Sequence, residues 1–424
     1  MLRSALLALV AVSTAYHLAS LLCAWSFARF RRRALAGPRA ADAGLPPVSL
    51  LKPLRGVVPE TEGNLASCLA LDYPGLQVVF GVADPGDPVV EVVNRLRREH
   101  PGVDVEFVVS DRRIGANAKV SNLDNMLRVA RHDVIAIADA DVRYESDTLR
   151  LVVPGLDEPG AGLATCAYRA AQSGSLPRRI EALFVNTDFA PMVAVARLVE
   201  KRSYAFGATI AIRRETLREI GGFRAIADHL ADDYQLGQRV VALGKASVLS
   251  PAVVETVLDL DRFRDVVDHQ LRWARTYRVC RPASYFATVA THATTWAVLY
   301  LVSSGFSPRA LTVFTGAVGI RCAVGAAIAR FAFGVRGILR DLWLLPAKDL
   351  FLSAIWALAF AGDTVRWGGA AFAIDRDGRM RPLRPTSDAG ASAAAADLGV
   401  ASAIGDRKSA PAVVAPATPH RPAG

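Results

Sequence analysis

The sequence predicts an α/β domain built on a parallel sheet and held between apolar, membrane-crossing segments at its two ends. Three observations predict it. Strand-like and helix-like stretches alternate from Val48 to Ala138, uncharged apolar runs flank the middle of the chain, and the apolar surplus of the 424 residues, 52% of them hydrophobic, is concentrated in those flanks. At about 100 to 200 residues per domain the length exceeds one domain. The division read from it is an anchor over 1–30, an α/β domain over 45–280, a membrane region over 282–362 and a disordered tail over 386–424.

The anchor comes first. Ser4 to Ala28 carries no Lys, Arg, Asp or Glu, and roughly 20 apolar residues suffice to cross a bilayer. The run ends in "RFRRR", a stop signal that favours a retained anchor over a cleaved leader, with the amino terminus outside and the following domain cytoplasmic, in a cell (inner) membrane. Within the α/β domain "PVSLLKPL" reads as a strand, "ETEGNLASCLAL" as a helix and "LQVVFGVAD" as a strand. There follow the amphipathic helix "PVVEVVNRLRREH", the strand "VDVEFVVSD", a helix over Ala118 to Ala130 and the strand "DVIAIAD". Such alternation implies right-handed crossovers and parallel strands, with ligands beyond the carboxyl ends of the strands.

After the domain, Pro282 to Pro308 is uncharged and reads as a second span, and Ala310 to Ala329, broken only by Arg321, as a third. An arginine at that depth is costly, so Arg321 faces protein, water or headgroups. Leu342 to Ala361 contains Pro346, Lys348 and Asp349 and reads as interfacial or re-entrant. From about Ser387 the chain is Ala, Pro, Ser and Gly with few large apolar residues, a composition that cannot bury a core.

The net charge of +10 sits largely in arginines beside the apolar runs, such as Arg29, Arg31, Arg32 and Arg33. Basic flanks of this kind are topological, and no aromatic interleaving marks a nucleic-acid binder. The cysteines Cys23, Cys68, Cys166, Cys280 and Cys322 are odd in number and scattered, as suits free thiols rather than a disulfide framework.

Candidate chemistry begins where the buried strand "IAIA" runs into Asp139 and Asp141. Two carboxylates one residue apart repel unless a cation lies between them, and magnesium binds through one or two carboxylates together with substrate phosphates. The same spacing also describes a turn whose aspartates accept backbone hydrogen bonds. Asp84 closes another strand on the same rim. In "HLADDYQLGQRVVALG", Asp232 and Asp233 precede a helix that needs only one acidic cap; the other carboxylate is free to act as a general base. In "HQLRWARTYR", Arg272 and Trp273 join a fixed cation to a flat ring, suited to a phosphate and to stacking on a sugar or uracil, or to a basic amphipathic helix on a membrane surface.

Asp84, the Asp139/Asp141 pair, "ADDY" and "HQLRW" stand in the order and approximate spacing of membrane-bound, family-two-type glycosyltransferases. The chain most resembles ceramide glucosyltransferases and the bacterial hopanoid-associated glycosyltransferases, further through "LKPLRG", "VVFGVADPGDP", "AKVSNLDNM", "FGATIAIRRETLREIGGF" and "DTVRWGG". That resemblance implies a GT-A (Rossmann-like) catalytic domain, a UDP-sugar donor, a membrane-lipid acceptor in the bilayer and a Mg2+ or Mn2+ cofactor. It implies that Asp84 contacts the nucleoside, that Asp139 and Asp141 hold the metal diphosphate, and that Asp233 is the base for inversion. Arg272 and Trp273 then support the leaving UDP and the sugar, and Lys119 and Asn122 belong to the donor pocket. Two departures stand out. His269 occupies the place where the family has Gln or Arg, with Gln270 a substitute by register, and both aspartates of the pair are kept where animal ceramide enzymes can lack the second.

The resemblance favours glucose on a ceramide-type acceptor, with N-acetylglucosamine on a hopanoid polyol as the alternative; ceramide, hopanoid polyol and diacylglycerol all offer a primary hydroxyl, and no residue quoted separates them. A processive polysaccharide synthase is disfavoured by the few apolar segments available for a conduit. A scaffold or transporter is disfavoured because the carboxylates cluster between the membrane segments instead of inside them.

Overall fold

The computed structural model describes residues 1–37, 44–199, 204–257 and 259–383. Helix α1, Leu2–Ala36, precedes β1 (Val48–Pro53), α2 (Thr61–Leu69), β2 (Leu76–Val82), α3 (Val89–Glu99), β3 (Asp104–Val109), α4 (Ala118–Leu127) and β4 (Val134–Ala138). These are the elements the alternation predicts. Next come β5 (Val142–Arg143), α5 (Thr148–Val152), β6 (Ala161–Ala170), α6 (Leu176–Phe184), α7 (Ala190–Val199), β7 (Thr209–Arg213), α8 (Arg214–Glu219), α9 (Asp232–Ala242) and β8 (Ala246–Thr256). Helices α10 (Phe263–Cys280), α11 (Pro282–Ala287), α12 (Ala293–Ser303), α13 (Pro308–Ala327), α14 (Ile338–Asp341) and α15 (Leu345–Leu358) follow. The strands β9 (Thr364–Trp367), β10 (Ala370–Ile374) and β11 (Met380–Pro382) close the described chain. Met1–Pro382 pack as one unit, and the tail predicted to be disordered over 386–424 lies outside the described residues.

The main sheet has the order β3-β2-β1-β4-β7-β6-β8-β5. From β3 to β4 it is parallel, as expected, and neighbouring residues on each strand face opposite layers. Leu50, Val78, Phe80 and Ala136 pack with α2 and α3, whereas Leu51, Val79, Ile135 and Ile137 pack with α4 and the residues around β7. Both faces are covered, which is why these strands read as continuous apolar runs. The second half of the sheet corrects the expectation, because β7 runs antiparallel to both β4 and β6. The chain leaves β6, travels through α6 and α7, and comes back at the same end of the sheet, so the returning strand must run the other way.

Among the described residues four helical stretches are long and apolar enough to cross a membrane: Leu2–Ala36, Leu176–Val199, Pro308–Ala332 and Ile338–Ala361. Two apolar stretches have helix boundaries other than those expected. Pro282 to Pro308 is not one continuous helix; it breaks into α11, a short tight turn and α12, whose 11 residues reach about 16 Å against a hydrocarbon core of about 30 Å. Conversely, the stretch read as interfacial lies within Ile338–Ala361, a helical run of spanning length. Its charges are satisfied inside the protein. Lys348 pairs with Asp188 and, at 2.6 Å, with Asp349, while the Arg321 guanidinium lies 2.9 Å from Asp188 and 3.0 Å from Asp349. Arg321 thus faces protein and is almost fully buried. The Leu176–Val199 stretch supplies Asp188 to this cluster.

The "DTVRWGG" stretch folds as the β9–β10 hairpin. Gly368 and Gly369, at φ 57° and 77°, form its two-residue turn, a conformation that glycine adopts at least cost. The hairpin sheet is tied to the segment before α9 by hydrogen bonds from Leu230 N to Gly378 O and from Met380 N to Asp228 O. All five cysteines are free.

Candidate active site

The site forms where β4 ends. The β1 residue Lys52, fully buried, sends its ammonium to the carbonyl oxygens of Asp139 and Val142, both at 2.8 Å. One buried cation therefore fixes the backbone on either side of the acidic turn. Asp141 Oδ2 accepts from Thr256 Oγ1 at 2.7 Å, and its carbonyl accepts from Val257 N at 3.0 Å, so the end of β8 holds the second carboxylate. Burial, reinforced by the charge of Asp139, pushes the Asp141 carboxyl above the ordinary carboxylate range.

Lys119 links this turn to the other acidic motif. Its Nζ lies 2.6 Å from Asp139 Oδ1 and 2.8 Å from Asp232 Oδ2. Burial disfavours its charge, but Asp139 and Asp232 outweigh that cost and hold the ammonium above the usual lysine range. The local fold explains the placement. Asn117 caps α4, accepting from Val120 N at 3.0 Å, and its Nδ2 donates to His229 O at 2.8 Å. Lys119 and Asp232 are thereby brought together from elements more than a hundred residues apart.

Asp233 lies beside them in the first turn of α9. Its Oδ2 accepts from Gly207 N at 2.8 Å, and its Oδ1 from Tyr234 N at 2.7 Å. Burial, then the charge of Asp232, push its carboxyl up to about 6, against a smaller opposing pull from Lys119. Gly207 sits between two of the predicted carboxylates: a Cβ there would stand 3.0 Å from Asp139 Oδ2 and 3.3 Å from Asp233 Oδ2. The structure thus gathers Lys119, Asp139, Asp232 and Asp233 in one place, and Asp141 adjoins Asp139.

The α10 motif approaches from the side where α10 packs on α6 and α15. His269 Nδ1 and Gln270 Nε2 each lie 2.7 Å from Oε1 of Glu181, a fully buried carboxylate of α6 whose other oxygen has no partner among the described residues. His269 and Gln270 therefore serve the same anchor. Arg272 makes no ion pair or side-chain hydrogen bond among the described residues. Burial draws it below the ordinary guanidinium range, and the charges of Glu181, Asp139 and Asp141 oppose that shift. Trp273 packs edge-on against Phe184 at 5.8 Å and Phe189 at 6.1 Å and lies 5.1 Å from the His269 ring.

Two predicted residues sit apart from this cluster. Asp84 is exposed after β2 and accepts from Gly86 N at 2.8 Å within its own turn. Asn122 is buried beneath β2, donating to Gly81 O at 2.7 Å, so it braces the strand. Sequence reasoning missed Lys52 and Glu181. The first lay in the quoted "LKPLRG" as a lysine inside a buried strand, a signal that was available. The second carried none.

Among the described residues no group of three or more His, Cys, Asp or Glu is poised around one point for a metal. Asp139 and Asp141 do fit a hard divalent cation as two carboxylate ligands, because Mg2+ takes its remaining ligands from waters and phosphate oxygens, and carboxylates suit Mn2+ as well.

Comparison with known proteins places the chain among the glycosyltransferases. Residues 5–380 match the profile described as glycosyl transferase family 21, and the chain belongs to that family. Ceramide glucosyltransferase 1 of Caenorhabditis elegans is 24% identical over 211 residues, covering 49% of this chain and 45% of the relative. Ceramide glucosyltransferase of Candida albicans is 30% identical over 122 residues, covering 26% and 22%. The chain matches less than half the length of these relatives. Among solved structures, a mannosyltransferase of Pyrobaculum calidifontis in complex with GDP-Man and Mn2+ superimposes with a TM-score of 0.44 at 20% identity, covering 83% of this chain and 99% of that one.

Proposed function

We propose that this protein transfers a sugar, glucose in the first instance, from a UDP-sugar to the primary hydroxyl of a ceramide-type membrane lipid, with inversion at the anomeric carbon. The observation that carries the reading is Asp233, a carboxylate held near neutrality in its affinity for protons and fixed by Gly207 beside Asp139. A base so poised is ionised at neutral pH yet still basic enough to take a proton from the attacking hydroxyl. Family membership and the names of the relatives support the sugar and the acceptor.

In this reading Asp233 Oδ1 or Oδ2 receives the acceptor proton while the lipid oxygen attacks the anomeric carbon and the nucleoside diphosphate departs. Negative charge grows on that diphosphate. Arg272, without a carboxylate partner of its own, and Lys119 stabilise the charge more in the transition state than in the ground state. A Mg2+ or Mn2+ held by Asp139 and Asp141 supplies further positive charge to the leaving group when bound. Asp232 keeps Lys119 in place, Lys52 keeps the acidic turn in shape, and Glu181 keeps the Arg272 helix in register. The apolar helices around the site keep it beside the bilayer, where a lipid hydroxyl reaches it by lateral diffusion.

The test is transfer by the purified protein in lipid nanodiscs containing ceramide, with UDP-glucose and Mg2+ or Mn2+, the product identified by mass. Expected are a hexosylceramide, its loss in Asp233→Asn, and its loss on chelation with recovery on adding the ion. A hexosamine-bearing hopanoid in place of hexosylceramide would move the acceptor and sugar to the bacterial branch of the resemblance; a polymer would overturn the single-transfer reading.

A further inference from the structure

A pocket of about 280 Å³ opens where α1 passes α7, lined by Trp25, Ser26, Arg29, Phe30, Arg33 and Arg197. Half of its lining residues are arginines and none is acidic. Spacings of three and four residues on α1 put Trp25, Ser26, Arg29, Phe30 and Arg33 along one stripe, and Arg197 closes the pocket from α7. The Arg29 guanidinium lies over the Trp25 ring at 4.6 Å, and that of Arg197 over the Phe30 ring at 4.5 Å. Apart from a long contact of Arg197 with Ser26 Oγ at 3.5 Å, these three arginines form no side-chain hydrogen bond or ion pair among the described residues. Their neighbours elsewhere differ: Arg169, Arg178, Arg179 and Arg321 each hold carboxylates.

The depth of the pocket is equally specific. Arg29 is the first charge after the uncharged run Ser4 to Ala28. Just before it, Leu22 and Trp25 are 69% and 55% exposed on a helix long enough to cross a membrane. Tryptophan at such a boundary belongs at headgroup level. Guanidinium forks pair with phosphate oxygens through two parallel hydrogen bonds, and ring faces hold two of these forks in place beforehand, lowering the entropy lost on binding.

We propose that this pocket binds the headgroup phosphate of an anionic membrane lipid, seated between α1 and α7 with its acyl chains along the exposed face of α1 at Leu22 and Leu18. The occupant is a lipid rather than free phosphate because the wall beside the arginines, at Leu18, Leu22 and Trp25, is apolar and exposed, so one molecule satisfies both surfaces. Basic pockets between membrane helices recognise headgroups in this way. The proposal is independent of the transfer reaction.

The experiment uses the full chain purified in a neutral detergent. Its thermal midpoint is followed while adding short-chain phosphatidylglycerol, phosphatidylcholine or inorganic phosphate, and native mass spectrometry records which lipid the wild-type protein retains from vesicles of equal parts phosphatidylglycerol and phosphatidylcholine. Expected are a saturable rise with phosphatidylglycerol alone and preferential retention of that lipid. In Arg29→Ala, an exposed position with no ion pair to lose, the half-saturating concentration rises by about tenfold, as for one lost charge-assisted hydrogen bond. Arg197→Gln serves as the second variant, with the same expectation. Equal responses to the two lipids, or an unchanged titration in both variants, would overturn the site. An equal response to inorganic phosphate would overturn the lipid as its occupant.

Discussion

The backbone N–H of Gly207 donates to Oδ2 of Asp233 at 2.8 Å, and the missing side chain of Gly207 is what leaves room for Asp139 on its other side. A methyl group at 207 would stand 3.0 Å from Asp139 Oδ2, tighter than ordinary packing. The backbone there has no positive φ that demands glycine, so Gly207→Ala is expected to fold. Crowding two carboxylates by a few tenths of an ångström is expected to lower transfer about tenfold, since misplacement of about 1 Å can cost about a hundredfold. Steady-state rates beside thermal midpoints check this; a large loss of stability with normal specific activity would contradict it.

The ionisation of Asp233 sets an acid limb. Its carboxyl is pushed up to about 6 by burial and by Asp232, and only the ionised form accepts a proton. Transfer is therefore expected to rise with pH through about 6 and level off above it. In stability the sign is reversed. The folded state holds this proton more tightly than the unfolded one, so from about 4 to about 6 stability contributed by the group falls as pH rises. Removing the neighbouring charge in Asp232→Asn should move the acid limb of the rate profile to lower pH, while Asp233→Asn removes it together with activity.

Much of this arrangement was legible because strands announce themselves. The apolar runs of β1, β2 and β4 gave the parallel half of the sheet, and the acidic residues that ended the last of them gave the rim. Strand direction is another matter: "TIAIR" has the same periodicity whichever way it runs, and only the detour through α6 and α7 makes β7 antiparallel. Composition likewise reported that Pro282 to Pro308 is apolar without reporting that Thr288 to Thr291 tightens into a separate turn before α12. The sequence motif points to Lys119 as a donor-pocket residue, but not to its pairing with Asp139 and Asp232, because those partners come from different elements.

Lys52 tests the support beneath the acidic turn. Lys52→Met keeps most of the apolar stem but leaves the carbonyls of Asp139 and Val142 without their shared donor. The Asp139 carbonyl keeps a bond from Val142 N at 3.3 Å, so one buried acceptor is left unsatisfied and a loss of about 1 to 3 kcal/mol is expected in chemical denaturation. Residual folded protein should bind the donor weakly, because Asp139 and Asp141 no longer share a fixed turn.

Glu181 acts on the chemistry only through α10. Glu181→Ala frees His269 and Gln270 and removes the largest charge attracting Arg272. The expected signature is a fall in kcat with the lipid KM little changed, since Arg272 is assigned to the leaving diphosphate. His269→Gln retains a donor to the same carboxylate and is expected to keep most of the activity, which a purely packing role for residue 269 would not require.

The charge cluster in the membrane region provides the last test, because two cations and two anions balance there. Arg321 donates to Thr187 O at 3.1 Å as well as to Asp188 and Asp349, and Asp349 also accepts from Thr294 Oγ1 at 2.6 Å. Arg321→Met removes one cation and leaves Lys348 alone with two carboxylates. Breaking a buried pair from one side costs about 3 to 5 kcal/mol, whereas replacing all its members by apolar residues of similar volume is often neutral or stabilising. Arg321→Met alone is therefore expected to lower the thermal midpoint sharply. Adding Asp349→Leu to it restores charge balance between Lys348 and Asp188 and should recover much of the loss. If the double variant is instead as unstable as the sum of the two singles, these residues are not coupled, and the cluster does not join α13 and α15 to the α6–α7 excursion in the way the contacts imply.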